Sequence, residues 1–167
     1  KFFRDSTSPS EYVKNYLSYI SNLLEKLESD EIENVVNIFL KARQNGNRIF
    51  FIGNGGSAAT ASHFANDLAI GTRSNSNPFA VMSLTDNNAV ITAIANDYGY
   101  EYIYVKQLEA LYSKGDILVA ISASGNSPNL LRAINFVKKF NGLTVGLTGF
   151  DGGKLKEIAD HTIHVPT

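Results

Sequence analysis

Apolar positions in the first third of the chain recur at steps of three and four, the period of a helix with one buried face. Tyr12, Val13, Tyr16, Leu17, Ile20, Leu23, Leu24 and Leu27 follow Pro9 in this way. Ile32, Val35, Val36, Phe39 and Leu40 repeat the pattern after Ser29. Two amphipathic helices are therefore expected, the second with Ser29 as its N-cap, Asp30 and Glu31 in its first turn and Gly46 at its end. From Ile49 the pattern changes. Ile49 to Ile52 is an unbroken β-branched and aromatic run, too short for a helix, and reads as a strand buried on both faces.

Further short runs follow: Phe79 to Leu84, Ile117 to Ile121, Leu143 to Leu147 and Thr162 to Val165. The segments between them carry helical periodicity from Ala89 to about Ala95, from about Glu101 to Tyr112 and through Leu130, Leu131, Ile134 and Val137. A short helix is also expected after the Asp151-Gly152-Gly153 turn, and Thr72 to Pro78 reads as a polar connector. Strands alternating with helices predict an α/β fold: a five-stranded parallel sheet with helices on both faces and right-handed crossovers, preceded by the two N-terminal helices. With 167 residues and no repeat or linker, the chain is read as one domain, residues 1–46 forming the helical pair and 47–167 the sheet core. Two helices ahead of the first strand exceed what a sheet edge needs, so their apolar stripes are available to another subunit.

Chemistry concentrates where strands end. Gly53, Asn54, Gly55, Gly56 and Ser57 join the first buried strand to a helix, and backbone free of Cβ atoms can approach a ligand there at positive φ. A strand, a glycine turn and a helix N-terminus present N–H groups and a positive dipole end, which suit a phosphate. The spelling is neither G-x-x-x-x-G-K-[ST] nor G-x-G-x-x-G, which argues against a nucleoside triphosphate or a dinucleotide cofactor. His63 and Asp67 follow at i, i+4 and project from one helix face, as a solvated pair or as metal ligands or acid and base. A second loop, Ser122, Ala123, Ser124, Gly125, Asn126 and Ser127, ends the third strand, with Ser127 placed as N-cap and Pro128 at the first helical position. Either loop alone is compatible with an ordinary βα turn. Two in one parallel sheet, both at carboxyl ends, favour a shared anion site near a switch in strand order.

Composition narrows the classes. Cysteine is absent, so there is neither a disulfide framework nor a thiolate nucleophile, and a cytoplasmic protein is expected. A net charge of -1 leaves nothing basic enough to grip nucleic acid directly, and no apolar run approaches the roughly 20 residues that span a bilayer. The chain starts at Lys1 rather than Met and stops at Thr167, so both ends are left open.

Taken together, GNGGSAATASHFANDL, TDN, AIANDYGYE, GDILVAISASGNSPN, LTGFDGG and VPT resemble, in order and spacing, the sugar isomerase (SIS) domain family, most closely its phosphoheptose isomerase branch. The resemblance covers nearly everything from Gly46 onward. It implies a flavodoxin-like sheet, a homotetramer, a zinc ion and conversion of sedoheptulose 7-phosphate to a heptose 7-phosphate for bacterial surface polysaccharide (lipopolysaccharide or capsule). By the same resemblance, Asn54, Gly55, Gly56, Ser57, Asn96 and Asp97 contact substrate, Ser122, Ala123, Ser124 and Ser127 cradle its phosphate, and His63 and Asp67 serve as metal ligands and as the catalytic pair. Three features depart from the family. Asp67 stands where it has Glu, one methylene longer; Ala123 replaces threonine; and a last helix bearing a Gln and a His falls beyond Thr167. Aldose-ketose isomerisation through an enediolate is the implied reaction. Its rivals are a non-catalytic sugar-phosphate sensor or DnaA initiator-associating adaptor of this fold, and an isomerase for another phosphosugar of capsule or O-antigen synthesis.

Overall fold

The computed structural model describes residues 5–73 and 77–167. Part of the polar connector expected over Thr72 to Pro78 lies outside the described residues. Helices α1 (Pro9–Leu24) and α2 (Ser29–Asn45) precede β1 (Arg48–Gly53) and α3 (Gly56–Asn66), whose end relaxes into a π turn over Asp67–Gly71. Then come β2 (Ala80–Ser83), α4 (Asn88–Asp97), a 3₁₀ turn at Tyr100–Tyr102, α5 (Val105–Leu111) and β3 (Ile117–Ser122). The chain continues through α6 (Pro128–Lys139), β4 (Leu143–Thr148), α7 (Gly153–Ile158) and β5 (His161–His164).

All strand pairs are parallel and the order is β2-β1-β3-β4-β5, the flavodoxin-like arrangement, with its switch between β1 and β3. Side chains of β1 alternate between two cores, which explains the unbroken apolar run. Phe50 and Ile52 pack with Leu118, Leu108, Leu130 and Ile134 on one face, while Ile49 and Phe51 pack with Phe39, Ala61, Val119 and Val145 on the other. Phe64 of α3 stacks on Phe51 with ring centroids 4.9 Å apart, fixing which side of α3 faces inward. Each such large apolar side chain contributes about 1.5–3 kcal/mol by leaving water.

The amino ends of β1 and β3 are clamped by charge. Buried Asp116 accepts from the Arg48 backbone N–H at 2.8 Å and from Arg48 Nε at 3.1 Å, and also from the Ser113 N–H at 2.9 Å. An ion pair with this many hydrogen bonds offsets its own desolvation, which a bare buried pair does not.

Several local expectations need adjustment. The N-cap of α2 is Glu28, with no side-chain capping bond, because Ser29 is already inside the helix. Ser8 instead caps α1, accepting from the Glu11 N–H. The helix expected over 101–112 is broken into the 3₁₀ turn and α5, since adjacent Ile103 and Tyr104 are both drawn into the core and Gly99 enters at φ +104. Leu23 is the buried residue of α1, while Val13, Leu17 and Leu24 of its stripe are 51%, 58% and 59% exposed. Leu27 lies past the end of that helix. Among the described residues no helix is long and apolar enough to cross a membrane.

Asp160 ties the end of α7 to β4: it accepts from the Thr144 N–H at 2.9 Å, the Thr144 hydroxyl at 2.7 Å and the Lys138 ammonium at 2.9 Å. Partial burial opposes its ionisation, but the bonds from Thr144 and Lys138 outweigh burial and hold the carboxyl below its ordinary value. A carboxylate depressed in the folded state stabilises above its unfolded pKa, about 3.9, and that contribution disappears as pH falls through the folded value. Urea denaturation across the acid range should show stability falling below about pH 4, with a shallower acid limb in Asp160→Asn. Parallel limbs would contradict this role.

Candidate functional site

At the tip of β1, Gly53 packs so closely under α3 that a Cβ there would lie 2.5 Å from the Ser57 carbonyl oxygen. Gly55 is the N-cap of α3 at φ +54, and the helix begins at Gly56 rather than Ser57. Of the three turn residues only Gly55 uses positive φ, because a single left-handed step suffices to turn the strand into the helix. In the first turn the Ser57 N–H donates to the Asn54 carbonyl at 3.0 Å and the Ala58 and Ala59 N–H groups to the Gly55 carbonyl at 3.0 and 3.2 Å, which leaves the N–H groups of Gly55 and Gly56 for whatever sits beyond the strand tip.

At the tip of β3 the serine loop is cross-braced. Buried Ser122 accepts from the Gly125 N–H at 3.0 Å, and Asn126 Nδ2 donates to the Ser124 carbonyl at 2.9 Å. The loop after β4 supports it, with the Gly149 N–H donating to the Ala123 carbonyl at 3.1 Å and the Leu155 N–H to the Gly125 carbonyl at 2.9 Å. Gly125, at φ +63, lies so close to the Gly152 carbonyl that no other residue fits. Ser124 remains exposed, and Ser127 stands at the N-cap of α6 with Pro128 behind it, although its hydroxyl makes no capping bond.

Because β1 and β3 are neighbours in register, with Gly53 opposite Ile121, the two loops stand side by side. Beside them is a cavity of about 350 Å³ lined by Asn54, Tyr100, Glu101, Ser127, Pro128, Asn129 and Arg132, to which the glycine turn gives Asn54 and the serine loop Ser127, while Gly55, Gly56, Ser57, Ser122, Ala123 and Ser124 are not among its lining. That size suits a small polar metabolite. Asn54 and Asn129 join the loops through a reciprocal amide pair at 2.7 and 3.0 Å, and the Tyr100 hydroxyl donates to Asn54 Oδ1 at 3.1 Å. Arg132 brings a cation to the rim, 4.7 Å over the Tyr102 ring and 3.9 Å from Glu101. A larger groove of about 740 Å³ shares Arg132 but takes its walls from Tyr102, α5 and α6, with none from the two loops. The smaller cavity, with convergent polar groups at the switch in strand order, is the better site for a ligand.

His63 and Asp67 form a pair, Nε2 to Oδ2 at 3.2 Å, on the solvent side of α3. Phe64 turns inward onto Phe51, and the 100° step of the helix leaves His63 facing out. The pair opens on a different cavity, about 540 Å³, lined by Thr60, His63, Phe64, Asp67, Leu68, Gly71 and Thr72. Six helical residues place His63 about 9 Å along the axis from Ser57 and about 240° around it, so one chain does not set the pair inside the loop cavity. Asn96 and Asp97 end α4, exposed and bonded to each other at 2.8 Å, and are not among the residues lining the loop cavity.

A catalytic zinc takes three protein ligands. Among the described residues no group of three His, Cys, Asp or Glu is placed to hold a metal, so His63 and Asp67 are an incomplete set within one chain.

Asn129, Tyr100, Glu101 and Arg132 line the cavity although sequence reasoning gave them no role. The motifs SPN and DYGYE contain three of them, but nothing in spacing shows that Asn129 reaches back 75 positions to Asn54.

The profile of the SIS domain family matches residues 11–149. The chain is 39% identical over 160 residues to the phosphoheptose isomerase of Aliarcobacter butzleri, covering 95% of this chain and 85% of that protein. It is 37% identical over 163 residues to the phosphoheptose isomerase of Aneurinibacillus thermoaerophilus, covering 95% and 82%. The solved phosphoheptose isomerase of Neisseria gonorrhoeae superposes with a TM-score of 0.87 at 33% identity, over 96% of this chain and 87% of that one.

Tyr104 underpins the first loop from below, its buried hydroxyl donating to the Gly53 carbonyl. Burial, reinforced by the neighbouring Tyr100 phenol, pushes its pKa up to about 12, so it remains a donor through the neutral range. Tyr104→Phe should cost about 1–2 kcal/mol in urea denaturation by stranding that carbonyl. An unchanged midpoint would contradict the brace.

Proposed function

The chain belongs to the SIS domain family, and we propose that its substrate is sedoheptulose 7-phosphate, isomerised to D-glycero-D-manno-heptose 7-phosphate. The protein is a phosphosugar isomerase: relatives of that activity match it over 82–87% of their length, and its fold is theirs. The observation that carries the reading is the adjacency of two phosphate-type loops at the β1–β3 switch, beside a cavity to which they give Asn54 and Ser127. A non-catalytic sensor or initiator-associating adaptor is not favoured beside these relatives.

Isomerisation needs a grip and a proton path. The N–H groups at Gly55 and Gly56 and the hydroxyls of Ser57, Ser124 and Ser127 offer donors to a multi-oxygen anion, the Ser57 N–H being given to the Asn54 carbonyl, and Ser122 and Ala123 shape the loop between them. With the phosphate held, a base removes a C1 proton from the open-chain ketose. Its electron pair passes into the C1–C2 bond and onto the carbonyl oxygen, giving an enediolate. Return of a proton to C2, with transfer of the O1 proton to O2, yields the aldose. Asp67 is the proposed base and His63 its proton-donating partner, with Asn96 and Asp97 contributing from the end of α4.

Since this pair and the loops line different cavities in one chain, assembly has to bring them together. A homotetramer that covers the exposed stripes of α1 and α2 would set the pair of one copy against the loops of another. Zinc, if held, would draw two donors from His63 and Asp67 and would supply stabilisation for the enediolate oxygens. The heptose product suits bacterial surface polysaccharide, lipopolysaccharide or capsule. A different phosphosugar from such a pathway is the second reading, favoured by the shorter Asp67.

The test is sedoheptulose 7-phosphate turnover, followed by the proton resonances of the aldose product, on the species whose mass and zinc content are measured in the same preparation. Turnover should accompany a tetramer. Asp67→Ala should lose about a hundredfold or more in kcat and Ser124→Ala about tenfold in kcat/KM. Full activity in both variants would remove these roles, and turnover of other ketose phosphates only would replace the substrate.

A further inference from the structure

Asn129 is 1% exposed, and its side chain bonds to the turn that ends β1 rather than to its own loop. A main-chain donor orients its amide: the Leu130 N–H, shared with the Ser127 carbonyl at 3.1 Å, also reaches Asn129 Oδ1 at 3.1 Å, where Nδ2 would set two donors together. Asn129 Nδ2 must therefore face Asn54 Oδ1, 2.7 Å away, and Asn54 Nδ2 faces Asn129 Oδ1 at 3.0 Å. The Tyr100 hydroxyl adds a second donor to Asn54 Oδ1 at 3.1 Å.

This arrangement settles what Asn54 can offer. An amide oxygen has two lone pairs and an amide nitrogen two hydrogens. Both lone pairs of Asn54 Oδ1 are engaged, by Asn129 and by Tyr100, and one Nδ2 hydrogen is given to Asn129. One N–H remains, on a residue that lines the cavity. Asn54 is thereby committed as a donor, and turning its amide over would set its nitrogen against the Asn129 Nδ2 donor.

We propose that Asn129 and Tyr100 are positioning residues that lock the Asn54 amide with its free N–H toward the ligand, so that Asn54 recognises an oxygen acceptor of the sugar phosphate and not a donor. The proposal rests on the isomerase reading for the identity of the ligand. A fixed N–H aimed at an oxygen gains strength as that oxygen acquires charge, so the lock acts more on the enediolate than on the ground-state sugar. It also joins the two strand-tip loops, so both halves of the grip are set by one contact.

The test is a mutant cycle in the full-length protein with sedoheptulose 7-phosphate. Asn129→Asp keeps the acceptor for the Leu130 N–H but has no donor for Asn54 Oδ1, and Tyr100→Phe removes the second donor at an exposed position. Asn129→Asp should lower kcat roughly tenfold or more with a smaller change in KM, and Tyr100→Phe roughly threefold. In an Asn54→Ala background each should cost no more than about twofold, because the residue they act through is gone. Losses that add in full to that of Asn54→Ala would overturn the proposal. Should Asn129→Asp fail to fold, the Tyr100→Phe arm of the cycle decides by the same criterion. Absence of turnover of any phosphosugar by the unsubstituted protein would remove the isomerase reading instead. The lock would then be read from the Asn54 side-chain amide resonances, which must shift in Tyr100→Phe and would overturn it by staying in place.

Discussion

The parallel pairing of β1 with β3 is the constraint on which the rest depends. Five residues of β1 are held opposite five of β3, from Ile49 beside Ile117 to Gly53 beside Ile121, and this register fixes the height at which each strand delivers its loop. Slipping by one residue would turn Phe50 and Ile52 from one core to the other and carry the serine loop out of line with the glycine turn. The seam is secured at both ends. Arg48 and Asp116 clamp its start, and Asn54 and Asn129 close its finish. Between them lies an apolar interior that excludes water from the ladder.

Function follows from which end of this seam is open. Strand tips cannot continue their hydrogen-bond ladder, so their loops either satisfy themselves or receive a ligand. Here they do both. Ser122 and Asn126 brace the serine loop internally, while Ser124 and the head of α3 face outward. A rigid grip of this kind supplies orientation, and orientation is a large part of what an isomerase needs when it moves a proton between adjacent carbons. His63 stands on the helix that the glycine turn starts and Asp67 opens the π turn that continues it, so the grip and the proposed proton path are joined through one continuous element even though they open on different surfaces.

Much of this was legible in the sequence because it rests on local pattern. Unbroken apolar runs announced doubly buried strands, Gly46 and Pro128 marked a helix end and a helix start, and the spacing of His63 and Asp67 set them on one face. The parts that were not legible depend on contacts distant in sequence. Asn129 reads as an ordinary polar residue near a helix start, and its pairing with Asn54 exists only because β1 and β3 are neighbours. Tyr104 falls inside the helix expected from about Glu101 and Tyr100 just before it, yet tertiary packing breaks that helix and directs the Tyr100 hydroxyl to Asn54 and the Tyr104 hydroxyl to Gly53. Ser29 has the composition of a cap, but Glu28 takes the position, since one residue of shift costs little where no side-chain bond is at stake. The separation of the His63 cavity from the loop cavity follows from the 240° of helix between Ser57 and His63, a quantity available in the sequence but without meaning until the sheet gave the helix an orientation.

The account stands on a single claim, that a sugar phosphate is held between the tips of β1 and β3. Titrating the ¹⁵N-labelled protein with sedoheptulose 7-phosphate and following backbone amide resonances tests it most directly. The account predicts the largest shifts at Gly55, Gly56 and Ser57 together with Ser124, Gly125 and Asn126. Shifts concentrated instead along the α5–α6 groove, at Tyr102, Asn135 and Phe136, with both strand-tip loops unmoved, would contradict it.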